Sequence, residues 1–244
     1  DRMLTEGYAV SFDTLAEARD YLKGEPVLSR IGAIVKTKLA KCMKTGKLKK
    51  KKKTRVVIDS KRSGVSRATR KFEKTLLPRA IDVATDSLDL MAAGSQSSKS
   101  KLDNTRFLFY LIADFRDAFF LLPNKPSERR WFVIRFRGKV IVFLTTVQGT
   151  RVAPLTWGRT AALVTRLTQS VIGQHARIST YVDDPITASM GTMQEHRRRF
   201  TTILLLWTAL KLPISFPKAS MSRSPTWTSA QYSSTASSLT ISIK

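Results

Sequence analysis

The chain has 244 residues, with 43 Lys plus Arg against 18 Asp plus Glu and a formal charge of +25. Hydrophobic residues make up 42%, which excludes a wholly disordered chain and supplies a core for one or two domains. A pI near 10.7 points to a polyanionic partner, most simply nucleic acid, and a single Cys42 excludes a disulfide framework.

From the N-terminus, Thr5 to Leu22 reads as a weak helix, broken by Gly24 and Pro26. Arg55 to Asp59 is a short β-rich run. Pro78 to Met91 carries Ile81, Ala84, Leu88 and Met91 at helical spacing, and Ala92 to Lys101 reads as a Gly/Ser loop. Phe107 to Ala113 (FLFYLIA) is a continuous apolar run ending on Asp114, as expected of a strand buried on both faces. Trp131 to Phe136 and Lys139 to Leu144 flank Arg137-Gly138 and predict a hairpin. Pro154 opens a helix to about Ile172, with Leu155, Ala162, Leu163, Leu167 and Val171 as its expected inner face. Ile178 to Val182 and Ile186 to Ala188 predict a second hairpin, with Asp183-Asp184-Pro185 in its turn. Arg197 to Lys211 is another helix.

The longest apolar-looking stretch, Ile203 to Leu212, is far short of the roughly 20 residues a bilayer span needs. No signal peptide opens the chain, so the expectation is an intracellular protein, cytoplasmic or nuclear, neither secreted nor membrane-bound. A start at Asp1 reads as an internal piece of something longer. From Ala219 to Lys244, 13 of 26 residues are Ser or Thr, which predicts a disordered or out-of-frame tail.

Charge is unevenly placed. Between Ile31 and Ile58 there are eleven basic residues and no acid, so Lys47 to Arg55 (KLKKKKKTR) reads as a phosphate-contacting segment, a solvated basic loop or a nuclear-localisation-like address. After Glu128 the only acids are Asp183, Asp184 and Glu195. Two adjacent carboxylates repel each other, and a chain that otherwise avoids acid has placed them together. A metal ion makes such a pair favourable; a polar turn is the plainer reading.

Asp114 at a strand end, Gln148-Gly149 in a loop before a helix, and Tyr181-Val182-Asp183-Asp184 in a hairpin belong together. In this set the sequence resembles the reverse transcriptases of retroelements. YVDD matches their YxDD motif. IADFRDAFFLLP (112–123) resembles their first palm motif, and VQGTRVAP (147–154) the Gln-Gly loop with its downstream Pro. TRVVIDSKRSGVS (54–66) and LLPR (76–79) resemble the fingers segment, and LKLPISFPK (210–218) the palm motif that ends in Lys. The order agrees throughout, from about Ile31 to Lys218. Trp227 is followed by Thr228 and Ser229, where the family has a Gly close behind its Trp.

The resemblance implies an α+β right-hand polymerase, fingers and palm only, with an antiparallel palm sheet backed by helices on one face. It implies an N-terminal extension or linker over 1–30, fingers over 31–106, the palm over 107–218 and the tail over 219–244. It implies RNA-directed DNA polymerisation by nucleotidyl transfer, using two Mg²⁺ about 3.5–4 Å apart, with Mn²⁺ as a possible substitute. Mg²⁺ takes hard oxygen ligands. Asp114, Asp183 and Asp184 are the implied ligands, with Asp117 the alternative to Asp114. Asp114 and Asp183 are 69 residues apart, so only tertiary folding can join them. Arg55 matches the arginine that contacts the triphosphate, Gln148 and Gly149 the nucleotide and template loop, Phe119 the aromatic under the sugar, and Lys218 the lysine that protonates pyrophosphate. The implied partners are an RNA or DNA template-primer and deoxynucleoside triphosphates, with no membrane. Two rivals remain: an RNA-dependent RNA polymerase palm, and a catalytically dead nucleic-acid-binding remnant. With two His and one Cys, a zinc site is not expected.

Overall fold

The structure, a computed structural model, describes residues 2–41, 48–70, 73–74, 76–96 and 106–223. In chain order the elements begin with α1 (Arg2–Thr5), β1 (Ala9–Phe12), α2 (Leu15–Leu22), β2 (Leu28–Lys41), β3 (Leu48–Asp59), α3 (Val65–Ala68) and α4 (Ala80–Gln96). They continue with β4 (Phe107–Ile112), β5 (Val133–Phe136), β6 (Lys139–Phe143), α5 (Ala153–Ile172), β7 (Ala176–Tyr181), β8 (Asp184–Gly191), α6 (Met193–Ala209) and β9 (Ser220–Ser222). They form two interleaved compact units. The first is Asp1–Lys74 with Phe119–Thr156; the second is Thr75–Ala118 with Trp157–Lys244. No helix among the described residues is long and apolar enough to cross a membrane.

The first unit is built on a sheet of order β1-β6-β5-β2-β3, antiparallel except where Leu28–Ser29 of β2 run parallel to Val133–Ile134 of β5. The stretch expected as one helix from Thr5 to Leu22 is instead α1, β1 and α2, and residues expected as an extension or linker supply a strand of the sheet. Thr14 caps α2 by accepting from the Glu17 N–H, which places the helix start at Leu15 rather than Thr5. Ala9 to Phe12 pair with Phe143 to Val140 of β6, and Ala9 joins a core of Ile58, Phe120, Phe132, Ile134, Phe143 and Val147. Ala18 of α2 covers Val133, Val140 and Val142. The β5–β6 hairpin is present as expected. Arg137 and Gly138 take φ values of 51° and 81°, the left-handed pair that matches strand twist. The expected run Arg55 to Asp59 is the end of a longer strand, β3, paired along its length with β2.

The second unit has an antiparallel sheet of order β7-β8-β4-β9. The apolar run of β4 is central in the sheet, and helices cover both its faces. Tyr110 and Ile112 pack with Ile186 and Ala188 of β8 against Val83 and Leu90 of α4, and the Tyr110 hydroxyl donates to Ser87 Oγ at 2.9 Å. The alternate residues face α5 and α6: Phe115 meets Trp157 and Trp207 edge-on, and Phe109 stacks on His196. Helices therefore cover both faces, not one.

Four further corrections concern faces and ends. On α5 the buried residues are Ala153, Trp157, Ala161, Val164, Thr168 and Ile172, while Leu163, Leu167 and Val171 are exposed. The Trp207 indole donates to Thr168 Oγ1 at 2.9 Å, so a close, partly polar contact with α6 sets which face turns inward. On α4 the inner residues are Val83, Ser87 and Leu90, and Ile81, Leu88 and Met91 lie outside. The helix also runs on to Gln96, into the expected Gly/Ser loop, whose residues 97–101 lie outside the described residues. A Cβ on Gly94 would stand 3.1 Å from two atoms of the Met190 side chain, so a glycine lets the helix approach β8. Finally, the predicted tail contributes β9, which pairs Ser220–Ser222 with Ile112–Tyr110. Its remainder, 224–244, and Trp227 with it, lie outside the described residues.

Candidate active site

The register of the second sheet dictates where its acids meet. Ile112 of β4 lies opposite Ile186 of β8. The ladder continues past the strand end: the Ala113 N–H donates to the Pro185 carbonyl at 3.0 Å, and the Phe115 N–H to the Asp183 carbonyl at 2.8 Å. Two residues beyond the Ile112–Ile186 pair, Asp114 and Asp184 thus fall opposite each other on one face. Like charges directly opposite are unfavourable in water. Pro185, expected in the turn, is the second residue of β8; with no N–H, it serves the sheet through its carbonyl.

On its other flank Asp114 is held by the chain after α6. The Ser215 N–H donates to the Asp114 carbonyl and the Arg116 N–H to the Pro213 carbonyl, both at 2.8 Å. A single 3₁₀ turn, Phe216–Lys218, then carries the Lys218 ammonium onto the Asp114 carboxylate. The side chains form a row, Asp184, Asp114, Lys218, across the end of the sheet. Asp114 is buried; Asp183 and Asp184 are half-buried. Burial, first, and then the charges of Asp183 and Asp114 push the Asp184 carboxyl up to about 7. A hydrogen bond with Asp114 adds to this, and Lys218 opposes it. Asp114 and Asp183 are thus brought near enough to disturb the ionisation of Asp184.

The hairpin that carries Asp183 and Asp184 is strained and pinned. Tyr181 pairs with Asp184, leaving Val182 and Asp183 as a two-residue turn, and Val182 takes φ 57°. A β-branched residue rarely adopts that conformation. The Trp157 indole donates to the Val182 carbonyl at 2.6 Å, and the Thr165 and Thr180 hydroxyls meet at 2.7 Å. Trp157 was not singled out from sequence, where it is one of four tryptophans with no motif of its own; its role exists only because α5 lies behind the hairpin. Asp117, the alternative to Asp114, sits in a left-handed turn at φ 57° with its carboxylate 3.6 Å from Arg116 Nε. The contacts with Asp184 and Lys218 are made by Asp114.

The donor chemistry of this row suits a hard divalent cation: carboxylate oxygens, in excess of local positive charge. A cation already belongs to the arrangement, in the form of the Lys218 ammonium. As they stand, no three His, Cys, Asp or Glu side chains among the described residues are gathered closely enough to hold one ion. A metal held by Asp114 would compete with Lys218 for its carboxylate.

The remaining predicted residues lie in the first unit. The Gln148 carbonyl accepts from the Ile58 N–H at 3.1 Å, and the Gly149 carbonyl accepts from Ser60 Oγ at 3.0 Å, so the Gln-Gly loop is fastened to the end of β3. Arg55 is three residues back along that strand, paired with Ile34. Gly149 has φ 100°, and a Cβ there would stand 2.3 Å from the Ile58 carbonyl oxygen. The glycine is required by this close approach, whatever else the loop touches. Phe119 lies in a 3₁₀ turn, Ala118–Leu121, and is half-buried. The structure therefore gathers Asp114, Asp183, Asp184 and Lys218 in one unit, and Gln148 and Gly149 beside the strand of Arg55 in the other.

No protein-family model and no curated protein sequence matches the chain. Solved structures do. A foamy viral protease-reverse transcriptase, in complex with double-stranded DNA, superposes with a TM-score of 0.58 over 90% of this chain, at 16% identity. The fold is a polymerase fold of the reverse-transcriptase kind. A prototype foamy virus protease-reverse transcriptase mutant also gives a TM-score of 0.58, over 89% of this chain and at 13% identity. The chain spans 30% and 22% of those two proteins. At such identity the likeness is one of fold.

Proposed function

We propose that this chain is the fingers-and-palm part of an RNA-directed DNA polymerase of a retroelement, the second unit acting as palm and the first as fingers. One observation carries the reading. The sheet of a reverse-transcriptase-like fold ends in opposed carboxylates, Asp114 and Asp184, with Asp183 in the adjoining turn and Lys218 beside them. Two opposed carboxylates cost stability, and nucleotidyl transfer is a chemistry that uses them.

In this reading Asp114, Asp183 and Asp184 hold Mg²⁺, with Mn²⁺ as a substitute. When bound, the metal supplies Lewis acidity at the reacting phosphate and lowers the pKa of the attacking hydroxyl. The protein's residues do the rest. Asp184, whose protonated form is favoured by burial and by its acidic neighbours, binds the cation in its ionised form. Lys218, beside Asp114, donates a proton to departing pyrophosphate. Arg55 meets the triphosphate, Gln148 and Gly149 line the nucleotide and template, and Phe119 packs under the sugar. The +25 charge binds template-primer without regard to sequence.

Primer extension with Mg²⁺ on RNA and DNA templates, using deoxynucleotides and then ribonucleotides, tests the reading. Expected is short deoxynucleotide extension that Asp114→Asn abolishes while nucleic-acid binding survives. Ribonucleotide extension alone would make the chain an RNA-dependent RNA polymerase. Lys218 holding Asp114 in place of a metal favours a second reading, a binding remnant without catalysis. Its signature is tight, salt-dependent binding with no extension by the unaltered chain.

A further inference from the structure

Two helices of the second unit carry an additional apolar stripe on the side away from the sheet. On α4, Ile81, Leu88 and Met91 are 59%, 65% and 49% exposed, with exposed Ala84 among them. On α5, Leu163, Leu167 and Val171 are 52%, 41% and 51% exposed. Isolated apolar residues on a surface are ordinary, but aligned sets are not. At ~1.5 Å per residue these stripes run about 15 Å and about 12 Å along their helices. Positions 81, 84, 88 and 91 alternate steps of three and four, the spacing that seats a second helix.

Charge selects the occupant. α4 carries Asp82, Asp86 and Asp89 and no Lys or Arg; α5 carries Arg159 and Arg166 and no acid. Arg79, just before α4, is bonded to Asp82, and Arg177 of β7 acts on Asp86, so both offset part of that acidity. In a chain with 43 basic and 18 acidic residues, an acidic helix is the exception, and it lies on the opposite face of the sheet from the basic one. The two stripes are similar in length and oppose in charge. Neither suits its own copy, since α4 against α4 would set carboxylates against carboxylates.

We infer that this chain associates with a second copy of itself head to tail, with α4 of one copy packed on α5 of the next. Such a contact joins unlike surfaces, so each pair still presents one α4 and one α5 and association does not stop at two. The inference uses nothing from the polymerase reading and stands or falls apart from it.

Sedimentation velocity on the nucleic-acid-free 244-residue chain, from about 1 to about 100 µM, tests it. The expected weight-average mass climbs beyond two chains, and added salt weakens the climb. Leu88→Gln and Leu167→Gln alter exposed positions with a good helix former, so both variants fold, as circular dichroism checks. Each alone should associate roughly tenfold more weakly or worse, because one buried leucine is lost from every contact. An equal mixture should regain the original strength through the one intact pair of stripes and stop at two chains. A wild type that stays a single chain throughout, a variant that associates as the wild type does, or a mixture no stronger than its components would each overturn the inference.

Discussion

Gly149 offers a perturbation whose cost can be worked from the structure. Replacing it with Ala places a side chain at φ 100°, outside the basins open to L residues, and sets a Cβ 2.3 Å from the Ile58 carbonyl oxygen and 3.0 Å from its nitrogen. Backbone atoms cannot swing aside as a flexible side chain does, so the loop must move off β3. Strain of this kind costs on the order of 1–3 kcal/mol. Moving the loop also loses the Ile58–Gln148 and Ser60–Gly149 hydrogen bonds, at about 0.5–1.5 kcal/mol each. The sum is about 2–6 kcal/mol, a large share of the roughly 5–15 kcal/mol that holds a domain folded. Gly138 is the control: its φ is 81°, and nothing lies within 4 Å of a Cβ built there. Gly138→Ala should cost only about 1–2 kcal/mol from backbone strain. Urea unfolding followed by circular dichroism, on both variants, reads the difference. Equal losses from the two substitutions would refute the reasoning, because the clash with Ile58 would then cost nothing.

Asp184 should make cation binding pH-dependent. Its carboxyl is pushed up to about 7, so its ionised fraction rises from roughly 0.09 at pH 6 to roughly 0.91 at pH 8, and Mg²⁺ or Mn²⁺ affinity by calorimetry should rise about tenfold. Without a cation the sign for stability is the reverse. The folded value lies above the ordinary 3.8, so this group's contribution is whole below that value and is lost as pH rises toward and through 7. Asp184→Asn should flatten both profiles; an unchanged profile in that variant would mean that another group titrates. Trp157→Phe keeps an aromatic ring but removes the indole N–H from the Val182 carbonyl, so it should cost about 1–3 kcal/mol and speed amide exchange in the 181–184 turn. Unaltered exchange there would show that the indole does not pin the hairpin. Phe119→Val should raise ribonucleotide relative to deoxynucleotide use by roughly tenfold, given the cost of burying an unpaired hydroxyl against an apolar ring. If both incorporation efficiencies fall together at constant ratio, Phe119 is a packing residue alone.

Local chemistry was enough to place several parts of this protein. A continuous apolar run reads as a strand covered on both faces, and β4 is central in its sheet. Arg137-Gly138 announces the left-handed turn of the β5–β6 hairpin, and Pro154 sits in the first turn of α5, where a missing N–H costs nothing. The scarcity of acids after Glu128 singled out Asp183 and Asp184. What local chemistry could not settle was which way each helix turns. Leu163, Leu167 and Val171 form a better apolar stripe than Ala161, Val164 and Thr168, yet the second set is buried. Burial of either stripe is favourable, and the choice falls to the surface opposite: Trp207 needs the Thr168 hydroxyl, and small residues let α5 lie close. The same holds for β1, which finds β6 across more than a hundred residues, and for Lys218, which meets Asp114 only because β9 is the neighbour of β4. Turns and caps are written in adjacent residues. Register between distant strands is a property of the whole sheet, and it is register that sets Asp184, Asp114 and Lys218 side by side.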